Sequence, residues 1–394
     1  MTINKKISNN IFKTTKNHYV PRYYLEKFLL GEPLSKLIKD QNKIINFTNF
    51  STECSKDHLY TVKNKISNEL VSLFCEWQNL DESDVLLTNI KDFLNGEFRK
   101  FFNIIYKDDE SIQAMIDKLQ DPLDIKESWI KSQEELFTHL YEDGFNYFYN
   151  KIIDNINFSM LLEKNNMPKF EVQNYLYLKY YLIFYKFYIS LFSRILEYPT
   201  KNDDIEVLKN NLKKIAKDEL KFDSDEDIHE TFYDIILYIF VQLFRTKSYI
   251  KKIKDDIKDR YHVLSENEQN NLVFLYIHTI PLLKILNLME KETCLLILKN
   301  DTQEEFITSD NPVCITNSKY GFCYFMSLNK NLAILFTNKV YYLRKSFKKH
   351  LYICRNKKVV KYINNKLYSN SDNCLYGSND ALQKILVKEL SKND

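Results

Sequence analysis

The sequence predicts an α+β protein: a mostly α-helical body with a smaller C-terminal antiparallel sheet, packed as one unit. Three observations carry this expectation. Between about Ser67 and Met289 the apolar positions recur at helical spacing, and few prolines interrupt them. Near residue 293 the period changes to short apolar runs separated by polar turns, the pattern of strands. Finally, no fixed-period repeat and no long Gly/Ser/Pro linker divides the chain, so residues 1–292 and 293–394 read as two parts of one packed whole.

Taken in order, the elements begin at Asn17, where an extended lead-in meets Pro21 at a helix start, with Tyr24, Leu25 and Phe28 on one face. Lys43 to Phe50 carries β-favouring residues. Helices follow, and nine aromatics between Tyr175 and Phe192 mark one that is packed nearly all round. Thr293 to Leu298 and Glu305 to Thr308 flank Asn300-Asp301-Thr302, which predicts a hairpin. The runs Val313–Thr316, Phe322–Met326, Leu332–Thr337 and Val340–Leu343 predict the antiparallel sheet. Val359, Val360, Ile363 and Leu367 return to helical spacing, as do Leu382, Ile385, Leu386 and Leu390 after a cap at Asn379.

Composition narrows the chemistry. The 394 residues include only five glycines, Gly31, Gly96, Gly144, Gly321 and Gly377, all widely spaced. A dinucleotide-binding fingerprint and a Walker A loop both need clustered glycines, so those two phosphate cradles are excluded. The chain is 44% apolar and 28% charged, with 28 Tyr and 27 Phe, which is the composition of a folded rather than a disordered protein. The first seventeen residues hold no apolar run of secretory type, and Lys179, Lys186 and Arg194 break the most apolar stretch, so a cytoplasmic chain with no membrane partner is expected. Seven cysteines form no Cys-x-x-Cys pair and accompany no zinc-spaced histidines, so buried, reduced thiols are expected and no metal site is assigned.

The net charge of +3 conceals an asymmetry: from Asn311 to Ser371 there are twelve Lys and Arg and no Asp or Glu. Within that stretch Arg344, Lys345, Lys348, Lys349, Lys357 and Lys358, interleaved with tyrosines, could contact phosphates and stack on bases. The same residues could equally be a solvated face that docks on acidic clusters such as Asp203/Asp204/Glu206 or Asp223/Asp225/Glu226/Asp227.

Three segments carry candidate chemistry. His18 precedes a Val-Pro step that restricts the backbone, so its imidazole is held at the mouth of a helix, as a base, as a phosphate donor or as a structural residue. Gln242 and Arg245, three apart in an otherwise apolar helix, share a face; a buried guanidinium requires a carboxylate, a carbonyl array or an anionic ligand. The run Phe306 to Val313 is a strand breaking at Ser309-Asp310-Asn311-Pro312, either as local scaffolding or with Asp310 as partner to Arg245 or His18, orienting a base or holding a metal.

His18-Tyr19-Val20-Pro21-Arg22-Tyr23-Tyr24-Leu25 with Phe28, Gln242-Leu243-Phe244-Arg245-Thr246, and Phe306-Ile307-Thr308-Ser309-Asp310-Asn311-Pro312-Val313 resemble, in order and spacing, the hallmark motifs of a bacterial family called domain of unknown function 4238. Cys54 to Thr61, Glu82, Ile363-Asn364 and Leu375-Tyr376-Gly377 extend the resemblance over almost the whole chain. Ser327-Leu328-Asn329-Lys330 departs from it, standing where the family carries a proline-containing turn. The resemblance implies that His18, Gln242, Arg245, Asp310 and Asn311 converge on one polar pocket between helices and sheet. Some family members are associated with bacterial defence against phage.

Two functions are therefore expected. One is an intracellular anti-phage effector acting hydrolytically on nucleic acid or a nucleotide, with His18 and Asp310 catalytic and Gln242, Arg245 and Asn311 binding the substrate. The other is a non-catalytic sensor or binding protein whose polar cluster is structural. Whether the chain is an enzyme stays open, and no cofactor is assigned.

Overall fold

The computed structural model describes residues 16–18, 20, 22–29, 33–47, 53, 55–57, 66–80, 149, 230–289, 293–318, 321–338 and 351–391. Among these lie seven helices and eleven strands. At the N-terminal end, β1 (Lys16–His18) pairs antiparallel with β4 (Ser55–Asp57), placing His18 opposite Ser55. A single helical turn, α1 (Arg22–Glu26), buries Tyr24 and Leu25, and Phe28 beyond it is buried too. The hairpin of β2 (Leu34–Ile38) and β3 (Lys43–Phe47) follows, turning through Asn42 in the left-handed region. Asparagine tolerates that conformation because its short polar side chain bonds locally.

Helix α2 (Asn68–Gln78) starts at Ser67, whose hydroxyl accepts from Leu70 N–H at 3.2 Å, and stops at Asn79 with φ 54°. Three helices then run in series: α3 (Glu230–Phe244), α4 (Lys247–Arg260) and α5 (Glu266–Met289). Trp77 fastens α2 to this group by donating to Asp256 Oδ2 at 2.9 Å and packing on Tyr276.

The five-stranded sheet runs in the order β10 (Leu351–Cys354), β5 (Thr293–Asn300), β9 (Leu332–Asn338), β8 (Gly321–Asn329), β7 (Val313–Ser318). Strand alternation gives it two apolar faces. Tyr324 and Phe336 meet Phe240 of α3 on one face. On the other, Cys314, Phe325 and Ala333 join a core with Val360, Ile363 and Leu367 of α6 (Lys357–Asn370) and Leu382 and Ile385 of α7 (Asn379–Leu390). Leu37 and Leu375 complete that core from the four-stranded sheet, whose order is β3, β2, β11 (Cys374–Gly377), β6 (Thr308–Ser309).

This architecture corrects the expected fold class. There is not one smaller C-terminal antiparallel sheet but two substantial sheets, of five and four strands, and β10 runs parallel to β5. The four-stranded sheet takes β2 and β3 from near the N-terminus and β6 and β11 from the C-terminal region. The helical body is matched only in part: α2 to α5 are helical as expected, while 81–148 and 150–229, with the aromatic run from Tyr175, lie outside the described residues. The Asn300–Thr302 hairpin does not form either. Strand β5 pairs with β9 instead, because β6 is only two residues long and bonds to β11. Helix α7 is capped by Ser378, which accepts from Ala381 N–H at 3.2 Å, one residue before the expected Asn379. Val340–Leu343 lies outside the described residues.

Candidate functional site

The polar turn after β6 is held from several sides. Asp310 is buried, and its carboxylate accepts three consecutive backbone N–H groups: Asp372 on Oδ1 at 2.9 Å, Asn373 and Cys374 on Oδ2 at 2.8 and 2.9 Å. Its own N–H donates to Cys374 O at 3.1 Å. Desolvation raises the Asp310 pKa; the three N–H bonds pull the other way, and nearby Asp372 adds to the rise. This aspartate therefore grips the turn that leads from α6 into β11.

Asn311 reaches two helices. Its Nδ2 donates to Asn370 O at 3.1 Å, at the end of α6, and to Ser248 Oγ at 3.3 Å, in the first turn of α4. Ser309 Oγ donates to Asn311 O at 2.8 Å, and Asn370 Nδ2 returns a bond to Val313 O at 2.9 Å. The remaining amide oxygen, Asn311 Oδ1, is buried with no hydrogen-bond partner.

At the α3–α4 corner, Gln242, Arg245 and Thr246 are all buried. Arg245 N–H still bonds Val241 O at 3.1 Å, so Arg245 stays on the helical spiral and shares a face with Gln242 three residues before it. Thr246 closes the corner by donating to Leu243 O at 3.1 Å. Neither end of the Gln242 carboxamide has a hydrogen-bond partner.

The structure thus joins Asn311 to the corner carrying Gln242 and Arg245, through Ser248. Asp310 bonds to the backbone N–H groups of 372–374. His18 is placed by its backbone in β1, and its side chain lies outside the described residues. Of the basic candidates, Arg344, Lys345, Lys348 and Lys349 lie outside the described residues, while Lys357 and Lys358 are exposed at the start of α6. Their neighbours in the basic stretch make surface pairs with the β5–β6 connection: Lys361 with Glu304 at 3.2 Å, Arg355 with Asp301 at 3.4 Å and Lys330 with Glu305 at 3.6 Å. The acidic clusters anticipated as their docking partners lie outside the described residues.

Some connections had no warning in the sequence. Glu53 Oε1 takes Lys36 Nζ at 2.7 Å and the Tyr376 hydroxyl at 2.6 Å. Asn364, on α6, donates to Glu305 O at 2.7 Å and accepts from Ile307 N–H at 3.3 Å, which explains an asparagine inside a buried helix face. Asn329, in the Ser327–Lys330 segment, closes its turn locally, its Oδ1 accepting from Asn331 and Leu332 N–H at 2.8 and 2.9 Å. Among the described residues no three His, Cys, Asp or Glu side chains cluster so as to hold a metal ion, and no helix is long and apolar enough to cross a membrane.

Residues 200–381, which contain α3 to α6 and β5 to β11, match the family model described as a protein of unknown function, DUF4238. Over those residues the chain is similar to DUF4238. No curated protein and no solved structure matches it. The DUF4238 stretch holds Gln242–Thr246, Phe306–Val313, Asn364 and Tyr376–Gly377, so the corner and the clamped turn both lie within it. Tyr24 and Glu53 bond to Thr308 and Tyr376 from outside that stretch.

Proposed function

We propose that this chain is a non-catalytic sensor or binding protein, in which the polar turn from Thr308 to Asn311 locks the fold and the Gln242/Arg245/Asn311 corner receives a ligand. The observation that carries this reading is the state of Asp310. A general base needs a carboxylate oxygen directed at substrate, and a metal ligand needs one directed at the ion. Asp310 spends its oxygens on three backbone N–H groups of 372–374, at 2.8 to 2.9 Å, and is only 7% exposed. That arrangement supports a structural clamp. Gln242 and Asn311 Oδ1 differ, since they are buried polar groups with bonding capacity left over.

The test is direct. Purified wild type is incubated with RNA, DNA and nucleotides and the products are separated; no turnover is expected. Turnover by wild type that is lost in a folded Asp310→Asn or His18→Ala variant would overturn the proposal in favour of a hydrolytic defence effector. Lower stability of Asp310→Asn, with no turnover in either protein, is the expected result.

A further inference from the structure

We propose that the turn from Gln242 to Arg245 is a buried seat for a single nucleotide, Gln242 reading the amide edge of the base and Arg245 holding the phosphate. The proposal rests on the binding-protein reading above and names its ligand class. Gln242 is 0% exposed, and both its Nε2 and its Oε1 lack a hydrogen-bond partner. A buried amide left so is destabilising, and replacement by an apolar side chain of similar shape would relieve the chain at once. What restores both bonds together is a ligand presenting an acceptor and a donor side by side. The heterocyclic bases offer that edge, and glutamine pairs bidentately with adenine in this manner.

Arg245, on the same face and 1% exposed, brings a permanent cation with five N–H donors in a fixed fork, enough to serve a phosphate beside its protein neighbours. With only five glycines in the chain, no glycine-rich loop is available to wrap a phosphate, and Arg245 offers a side-chain charge in its place. Asn311 Oδ1, tied to the same corner through Ser248, is a further unpartnered acceptor that suits a sugar hydroxyl. Burial selects the size of the ligand. A polymer strand needs an open groove lined by exposed cations, and neither Gln242 nor Arg245 stands in one.

Titration calorimetry on the purified full chain with AMP, GMP, UMP, CMP and their triphosphates tests the seat. At least one should bind more tightly than about 1 mM, and Gln242→Leu should weaken it at least about tenfold. The same variant should keep its far-ultraviolet circular dichroism and raise the Tm of the unliganded protein, which separates a lost ligand contact from a lost fold. Binding by none of the eight, equal binding by wild type and Gln242→Leu, or tighter binding of a single-stranded RNA oligomer than of every nucleotide would overturn the proposal. Chromatography of the incubated nucleotide distinguishes the two readings. An altered nucleotide with Gln242-dependent binding leaves the seat standing and removes the non-catalytic reading, while absence of any binding removes the seat alone.

Discussion

The Tyr24 hydroxyl lies 2.6 Å from Thr308 Oγ1 and 2.6 Å from Ser327 O, joining the first helix to strands β6 and β8 across almost three hundred residues. A phenol has one proton, and it goes to the Ser327 carbonyl, so Thr308 is the donor in the other bond. Burial holds the Tyr24 pKa far above its ordinary value, with the bond to Thr308 acting in the opposite direction. The hydroxyl therefore stays protonated, and the direction of both bonds is fixed.

Removing that hydroxyl should be costly. Tyr24→Phe leaves the Thr308 hydroxyl and the Ser327 carbonyl without it in a buried site, so a loss of about 1–3 kcal/mol is expected. Urea denaturation of Tyr24→Phe, Thr308→Val and the pair should give less than additive losses, since both single changes break one shared bond. Strict additivity would show that Tyr24 and Thr308 act independently.

Asp310 should behave as a clamp with a definite pH signature. Asn can place one oxygen toward Asn373 and Cys374, but its NH2 then faces the Asp372 N–H, donor against donor, for a loss of about 1–3 kcal/mol. Because burial raises the folded-state pKa, the native protein binds this proton more readily than the unfolded chain does. The contribution of Asp310 to stability is then greatest below its ordinary value of about 3.9 and declines as the pH rises through the raised value. The stability difference between wild type and Asp310→Asn should accordingly narrow as the pH increases through that window; a difference that widens would contradict the direction.

The legible parts of this molecule are those where one residue type breaks a pattern. Tyr24, Leu25 and Phe28 announce a buried helical face, and Gln242 and Arg245 stand out in an apolar helix. Thr308 to Asn311 stands out as a strand interrupted by polar residues. Strand β2 escaped because Leu34-Ser35-Lys36-Leu37-Ile38 does not alternate: Ser35 is buried beside Leu34, and Lys36 is drawn in by Glu53. Strand β11, of four residues, is too short to show any period. Partners such as Ser248 and Asn370 are generic polar residues whose roles exist only once α4 and α6 are folded against the turn. Long-range pairing is what a local pattern does not encode, and that is why the two-sheet architecture differs from the expected one.

His278 predicts acid sensitivity. It is fully buried against the ring of Phe274, and desolvation pushes its pKa down to about 3. The folded state keeps the imidazole neutral while the unfolded chain takes up a proton below about pH 6.5, so stability falls as pH drops beneath that value, by about 1.4 kcal/mol per pH unit. His278→Gln should lose stability at neutral pH yet decline less steeply between pH of about 6 and about 4 than wild type does. Chemical denaturation across that range measures both slopes, and parallel curves would assign the acid sensitivity to other groups.

Gly377, at the end of β11, is a packing requirement rather than a conformational one. A Cβ built there would lie 3.0 Å from Ile307 Cγ2, and Ile307 is completely buried in the core between the two sheets and α6. The neighbour has little freedom to yield, because Ile307 N–H is bonded to Asn364 Oδ1 at 3.3 Å and the adjacent Thr308 is paired with Tyr376 in the sheet. Gly377→Ala should cost about 1–3 kcal/mol by overpacking. Ile307→Ala alone should cost about 2–5 kcal/mol by leaving a void. In the double variant the new methyl takes up part of that void, so the combined loss should be smaller than the two single losses together. A strictly additive double variant in thermal or urea denaturation would mean that the strand withdraws from Ile307, and that β11 rather than the isoleucine is the yielding partner.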